Sequence, residues 1–437
     1  MCSILITNKK TCHIEESNFY LQRRGPDKTT ITEIDNWTLV HNLLSITGDF
    51  TPQPLTKNNT HLIYNGEIYN IQNETKEYKS DGYYILDAYE EHGDSFFKYL
   101  DGEFAIALLD LNKNKLIFGG DLFLTKPLFI GKDENNICIS SYKSAITTLG
   151  FSKILRAEPN CFYIVDLDTF KAEKRQTYEW DLKQHIDTYE VWKESFYNAL
   201  KKRVTGIKDN FLVPVSSGHD SGGIICGLKQ LNITDFMTYS FTGNEAPGII
   251  EERVKHIHNK VLKAGITAQE NTDINSFKRQ FVEPFYYGPT PYNKTHEGFE
   301  DPGGTGLLSL LKECREEYGV KVQLSGQGAD EVMSNIQTYG FNTPNPYVWP
   351  DNLTNIFPWG NFYYGANWSY LNKEECIAGS VGMETRYPFL DKSVVQSFIN
   401  LTPQLKNKHY KAPLHYMLAE CNFPFVQAKR GFDLQIS

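Results

Sequence analysis

Short apolar runs rich in β-branched and aromatic residues punctuate the first 170 positions: SILIT, WTLVHNLLSIT, HLIYN, FAIALLDL, KLIFGGD, NICISS and CFYIVDL, each closed by turn residues. Two stretches with apolar residues at helical spacing interrupt them, near 82–100 and 141–148. Many strands with few helices predict a layered α+β unit over residues 1–175. Across 171–190 the pattern weakens into charged and polar residues, which reads as a boundary. Beyond it the rhythm changes. A helical run at 189–204 precedes a strand at 211–215, a small-residue turn and a helix; strands at 236–241 and 320–325 follow, separated by helical segments. Strand–turn–helix repetition predicts a second domain, 186–437, built on a parallel sheet whose ligands sit at the carboxyl ends of the strands. The segment 339–371 is rich in Pro, Asn and aromatic residues and reads as an ordered loop over a cleft or a partner surface.

Composition narrows the classes. The 437 residues carry a formal charge of −9 with no basic block, which argues against a general nucleic-acid binder. The eight cysteines are scattered, without C-x-x-C or zinc spacing. No apolar run reaches membrane-spanning length and no secretory signal is evident, so the expectation is a reduced, cytoplasmic protein without a membrane partner.

Three stretches carry candidate chemistry. Cys2 follows the initiator methionine and reads either as a nucleophile or as a small apolar residue opening a buried strand. VSSGHDSGGI (215–224) runs from a strand through small residues into a helix, a geometry that lets backbone amides meet phosphate oxygens. Asp220 is its natural Mg²⁺ ligand, and the alternative is a Ser/Gly turn with Asp as helix cap. The Walker pattern is absent. LSGQGADE (324–331) again ends a strand, and its Asp330 could share a metal with Asp220.

These residues carry a resemblance. SSGHDS, LSGQGADE, GMETRYPFLD (382–391), KAPLHYML (411–418) and KRGF (429–432) are similar to the synthetase half of the asparagine synthetase family. RRGPD (23–27), YNGEIYN (64–70), SDGYYIL (80–86), LDGEFAIALLD (100–110) and GDLFLTKPLF (120–129) resemble its glutaminase half, in the same order. The resemblance implies a four-layer αββα N-terminal-nucleophile hydrolase sandwich followed by a PP-loop ATP pyrophosphatase domain.

It also implies roles. Cys2 attacks the glutamine amide with its own α-amine as base; Asn65 and Gly66 hold the oxyanion; Glu67 and Asp81 grip the substrate ammonium. Ser216, Gly218, Asp220 and Ser221 cradle pyrophosphate, Ser240, Ser325 and Gly326 take the nucleoside, and Asp220 and Asp330 hold Mg²⁺. Glu384 and Lys411 belong to the catalytic set. ATP then activates a carboxylate, most simply that of aspartate, as an acyl-adenylate; ammonia reaching it from the first site gives the amide. The partners implied are glutamine, ATP and the acceptor, and a homodimer is allowed.

Three departures stand out. Leu43, in HNLLSI, occupies the place of the family arginine that holds glutamine's α-carboxylate, with Arg23 and Arg24 as candidate replacements. Gln327 replaces a glutamate found in well-studied asparagine synthetases. Ser217 replaces the second loop glycine, and His219 and Gly222 are unusual in the same loop. Two other readings stay open: amidation or ring closure of a different carboxylate, and a nucleotide- or glutamine-binding regulator descended from the enzyme.

Overall fold

The structure is a computed structural model that describes residues 2–246, 248–287, 296–297, 301–334, 348–426 and 434–436. Part of the 339–371 segment and the whole KRGF element lie outside the described residues. The chain divides into two compact units. The first holds Met1–Glu179 with two later segments, Phe281–Glu283 and Ala378–Glu384; the second holds the remainder. The sequence pattern places both later segments in the second domain, 186–437; by compactness they group with the first.

The first unit contains two six-stranded sheets. One comprises β1 (Ser3–Thr7), β2 (Lys28–Ile34), β3 (Trp37–Leu43), β8 (Phe129–Lys132), β9 (Ile137–Ser140) and β10 (Ile154–Arg156), in the order β10-β8-β9-β1-β3-β2. The other comprises β4 (Leu55–Lys57), β5 (Thr60–Ile68), β6 (Gly102–Asp110), β7 (Lys115–Gly120), β11 (Cys161–Asp166) and β12 (Ala172–Gln176), in the order β12-β11-β7-β6-β5-β4. Among the described residues the pairings within them are antiparallel, for example Ser3 opposite Asn42 and Gly66 opposite Phe104.

Alternation then divides the side chains between two cores. Ile4, Ile6, Trp37, Leu39 and Ile139 of the first sheet meet Ile63, Ala105, Ala107, Leu109 and Phe118 of the second. The opposite face of the second sheet, with Leu62, Tyr64, Ile106 and Leu108, packs against Ile85, Leu86 and Tyr89 of the helix Gly82–His92 and against Phe96 and Phe97 beyond it. The helix Lys143–Thr148 lies against β8 and β9, and Leu21–Arg24 against β1 and β3, completing a helix–sheet–sheet–helix stack.

Sequence patterning did not predict β2, β4, β8, β10 or β12. These are short or edge strands. In β2, KTTITEI, polar residues dominate and only every second position is half-buried. Edge strands need little apolar burial, so periodicity signals them weakly.

The second unit is built on a five-stranded sheet. Its strands are β13 (Phe211–Pro214), β14 (Met237–Phe241), β15 (Asn259–Lys263), β18 (Val322–Leu324) and β19 (Glu384–Arg386), in the order β15-β14-β13-β18-β19. A two-residue hairpin pair, β16 (Tyr286–Tyr287) and β17 (His296–Glu297), stands apart. β13 runs parallel to both β14 and β18, and β14 parallel to β15. The chain leaves β13 for β14 on one side, while β18 joins on the other. Loops after β13 and β18 therefore part at a topological switch point, where ligands of open α/β sheets bind.

The helix Lys392–Asn400 is capped by Asp391, which accepts from the Ser393 amide at 2.9 Å and pairs with Arg203 at 2.9 Å and Lys202 at 2.6 Å. That carboxylate, the last residue of GMETRYPFLD, is committed to these fold contacts. No helix among the described residues is long and apolar enough to cross a membrane.

Candidate functional site

Cys2 sits half-buried just before β1. The Leu44 amide donates to its Sγ at 3.5 Å, and Arg24 Nε donates to its backbone carbonyl at 3.0 Å. Burial pushes the thiol up to about 11, and the carboxylates of Glu384 and Glu67 add to that effect. A thiol so raised is protonated at neutral pH.

On β5, Asn65 and Glu67 share the inter-sheet face with Ile63. Asn65 is fully buried, and neither its side-chain oxygen nor its nitrogen has a partner among the described residues. A buried amide without partners is costly unless something else is to be bound there. Gly66 follows with φ +126°, and a Cβ there would lie 1.9 Å from the Glu103 carbonyl oxygen, so only glycine fits. Both carboxylate oxygens of Glu67 accept from the Thr47 hydroxyl at 2.9 Å.

Asp81 is more committed than its expected role suggests. Its Oδ1 accepts from the Tyr64 hydroxyl and its Oδ2 from the Ile68 amide at 2.7 Å. Burial holds its carboxyl above the ordinary range. Tyr64 and the Asp81 contact lie on the helix-covered side of β5, so Asp81 fixes the strand end.

His41, on the inter-sheet face of β3, escaped the sequence reading although it lies in HNLLSI. Burial lowers it to about 3, so it stays neutral. Arg23 and Arg24 do not replace the missing arginine: Arg24 is buried against Cys2 and donates to the Tyr142 hydroxyl at 2.9 Å, while the Arg23 guanidinium stacks 3.8 Å from the Phe281 ring. Glu384, expected with the synthetase residues, is 2 % exposed and raises both Cys2 and Asp81.

In the second unit, the loops after β13 and β18 touch. A Cβ on Gly326 would lie 2.7 Å from Asp220 Cβ. Around them lies a cleft of about 280 Å³ lined by Ser216, Asp220, Ser221, Ser240, Ser325, Gly326 and Asp330 among others. These are the expected phosphate, nucleoside and metal residues except Gly218, which caps the helix His219–Gln230 at the cleft's edge.

Lys411 closes the set. It is 2 % exposed, its Nζ donates to Asp220, and it lies 3.0 Å from Asp330, which also accepts from the Tyr410 hydroxyl. The paired carboxylates hold its ammonium well above the ordinary lysine range against the cost of burial. Lys411 has φ +50°, a left-handed backbone that lysine seldom adopts. Strain at a residue tied to two carboxylates marks a positioned group.

Asp220 and Asp330 thus both reach the Lys411 ammonium between them. Two carboxylates supplemented by phosphate oxygens and water form a donor set that suits Mg²⁺. No cluster of three or more His, Cys, Asp or Glu poised for a metal occurs among the described residues.

Three neighbours were missed because no motif marks them. Glu245 accepts from the Ser217 amide at 2.6 Å and from the Ser217 hydroxyl, so the serine that replaces a loop glycine anchors a carboxylate. Ser217 has no positive φ and suffers no backbone strain. Glu374 accepts from the Ser325 hydroxyl at 3.0 Å. Arg253, 3 % exposed, donates through Nε to the Pro424 carbonyl at 2.9 Å and through Nη1 to that of Ser216.

Arg253 also explains Gly222: a Cβ there would lie 2.5 Å from Nη2 and 2.7 Å from Cζ. His219 packs against the Phe425 ring at 4.7 Å, and burial lowers it to about 3. Because Arg253 is pinned at two nitrogens, Gly222→Ala is expected to cost roughly 1–3 kcal/mol by overpacking. The cost is read from urea midpoints, and an unchanged midpoint would count against the packing account.

Residues 1–178 match a glutamine amidotransferase domain family. Asparagine synthetase B of Escherichia coli is 26 % identical over 98 % of this chain and 80 % of its own. Asparagine synthetase 1 of Arabidopsis thaliana is 26 % identical over 93 % of this chain and 71 % of its own. Among solved structures, glutamine phosphoribosylpyrophosphate amidotransferase from B. subtilis aligns with 74 % of this chain and 90 % of its own, at a TM-score of 0.35 and 14 % identity. Over more than nine-tenths of its length the chain is thus similar to glutamine-hydrolysing asparagine synthetases, and its residues 1–178 match a glutamine amidotransferase domain family.

Proposed function

We propose that this protein is a glutamine-dependent amide ligase, with aspartate as the simplest acceptor. With Met1 removed, the Cys2 thiol gives its proton to its own α-amine and attacks the glutamine carboxamide. The tetrahedral oxyanion is held by the Asn65 side-chain amide and the Gly66 N–H. Its collapse forms a thioester and releases ammonia, and water then frees glutamate. Glu67 takes the substrate ammonium, with Asp81 supporting the strand end beside it.

In the second unit the acceptor carboxylate attacks the α-phosphorus of ATP, giving an acyl-adenylate and pyrophosphate. Ammonia then displaces AMP and leaves an amide. Ser216, Gly218, Asp220 and Ser221 hold the pyrophosphate end, Ser240, Ser325 and Gly326 the nucleoside, and Lys411 offsets charge at the reacting phosphate. Asp220 and Asp330 would hold Mg²⁺, which would supply charge neutralisation to the nucleotide.

The observation that carries the reading is Lys411, buried at 2 % exposure between Asp220 and Asp330 at the switch point. A purely structural lysine has no need of strained backbone and two carboxylates beside a nucleotide-sized cleft. The test is mass spectrometry of the full chain incubated with glutamine, aspartate and Mg-ATP. Asparagine, glutamate, AMP and pyrophosphate in equal amounts are expected. ATP cleavage only with another carboxylate would move the acceptor, and measurable ATP binding without turnover on any acceptor would make the protein a regulator.

A further inference from the structure

The two sheets of the first unit leave a specific question at Leu43. β1 and β3 pair with Ser3 opposite Asn42, so continuing the register by one residue sets Cys2 opposite Leu43. β3 and β2 pair with Leu43 opposite Lys28. Cys2, Leu43 and Lys28 therefore form one cross-strand row, and directly opposed residues share a face.

The adjacent row verifies the register through its side chains. Asn42 Nδ2 donates to Ser3 Oγ at 2.9 Å, and Thr29 Oγ1 donates to Asn42 Oδ1 at 2.7 Å. That row points to the other side. The Cys2 row thus points the same way as Ile4, Leu39 and Trp37, into the gap faced by Asn65 and Glu67.

Distances along the row suit glutamine. With opposed Cα atoms about 4.5–5.5 Å apart, Lys28 begins roughly 10 Å from Cys2. The reacting carbon of glutamine is about 5 Å from its α-carboxylate, four bonds of about 1.5 Å each. A thiol bonding to that carbon and an ammonium on a flexible stem meeting the carboxylate fill the interval.

The chemistry also suits. Lys28 is exposed and makes no side-chain hydrogen bond or ion pair among the described residues. Leu43, 7 % exposed, offers only an apolar wall, and Arg23 and Arg24 are committed elsewhere. Glu67 supplies the complementary charge for the ammonium.

We propose that Lys28, at the end of the Cys2–Leu43–Lys28 row, binds the α-carboxylate of the amide donor. This rests on the reading of Cys2 as a glutaminase nucleophile. Lys28 touches the substrate away from the reacting atoms, so it sets affinity and specificity.

The test uses the full chain with three variants: Lys28→Ala, Lys28→Glu, and Lys28→Ala combined with Leu43→Arg. Lys28→Ala should raise KM for glutamine about tenfold with kcat within about twofold, the signature of a lost charge-assisted contact. Lys28→Glu should raise it further, and Leu43→Arg should recover most of the loss. Wild type should prefer glutamine over the same molecule with its α-carboxylate blocked as an amide, and Lys28→Ala should lose that preference.

Mass spectrometry of Cys2 gives an independent reading. Labelling by the glutamine analogue 6-diazo-5-oxo-norleucine should slow in Lys28→Ala, whereas labelling by iodoacetamide, which lacks a carboxylate, should not. Unchanged KM and unchanged substrate preference in both single variants would overturn the assignment while leaving Cys2 as nucleophile. A wild-type protein that releases no ammonia from glutamine and is not labelled by the analogue would overturn the glutaminase reading and this assignment with it.

Discussion

Alanine in place of Cys2 is expected to remove ammonia release from glutamine by at least about 10³-fold, because no second nucleophile can complete the thioester route. Amide formation supplied with ammonium chloride should persist near the wild-type rate, since the phosphate-type loops lie in a separate unit. Thermal midpoints should barely move: Cys2 is half-buried, and the Arg24 contact is to its backbone carbonyl, which alanine retains.

The alkylation profile gives the same site a pH signature. A thiol raised to about 11 by burial should react slowly with iodoacetamide at pH 7 and accelerate as pH rises toward that value. Full glutamine hydrolysis by Cys2→Ala, measured by coupled detection of glutamate, would remove Cys2 from the mechanism.

Methionine at Lys411 is expected to reduce pyrophosphate release by about 10³-fold or more, as loss of a charge clamp on a transferring phosphoryl group does. It should also destabilise the fold. Lys411 is raised well above its ordinary value, so its contribution is fully present across neutral pH and is lost only as pH climbs through that raised value.

Removing the cation leaves Asp220 and Asp330 facing each other without compensation. Breaking a buried pair costs about 3–5 kcal/mol, and the low end applies here because the Asp220 side chain is 30 % exposed. Arginine at 411 separates the two effects: it retains the charge and should recover part of the stability, but its larger planar head should not recover turnover. Undiminished pyrophosphate release by Lys411→Met in a folded protein would sink the assignment. The contrast between the two experiments is itself informative, because Cys2→Ala should separate the activities and Lys411→Met should abolish synthesis from either nitrogen source.

The sequence by itself determined the elements with strong apolar burial and the chemistry with strong local signatures. SILIT, FAIALLDL and KLIFGGD are strands because both of their faces are covered, and burial on both faces writes itself as an unbroken apolar run. YNGEIYN, SSGHDS and LSGQGADE were readable because tight turns and backbone approach admit few residue types, as Gly66 and Gly326 show by the contacts a Cβ would make.

What only the tertiary structure decided is what depends on long-range pairing. β2 carries no apolar pattern, so neither its existence nor the placement of Lys28 beside Leu43 was legible. The engagement of Arg24 with Cys2, the seating of Glu245 on Ser217, and the packing of Arg253 on Gly222 join residues between 22 and 31 positions apart. Charge compensation across such separations leaves no periodicity, because an ion pair or a buried guanidinium constrains only where two chain segments meet. The replacement of an arginine by leucine was visible at once. Which cation remained within reach depended on strand register, and register is fixed by the packing of the whole sheet.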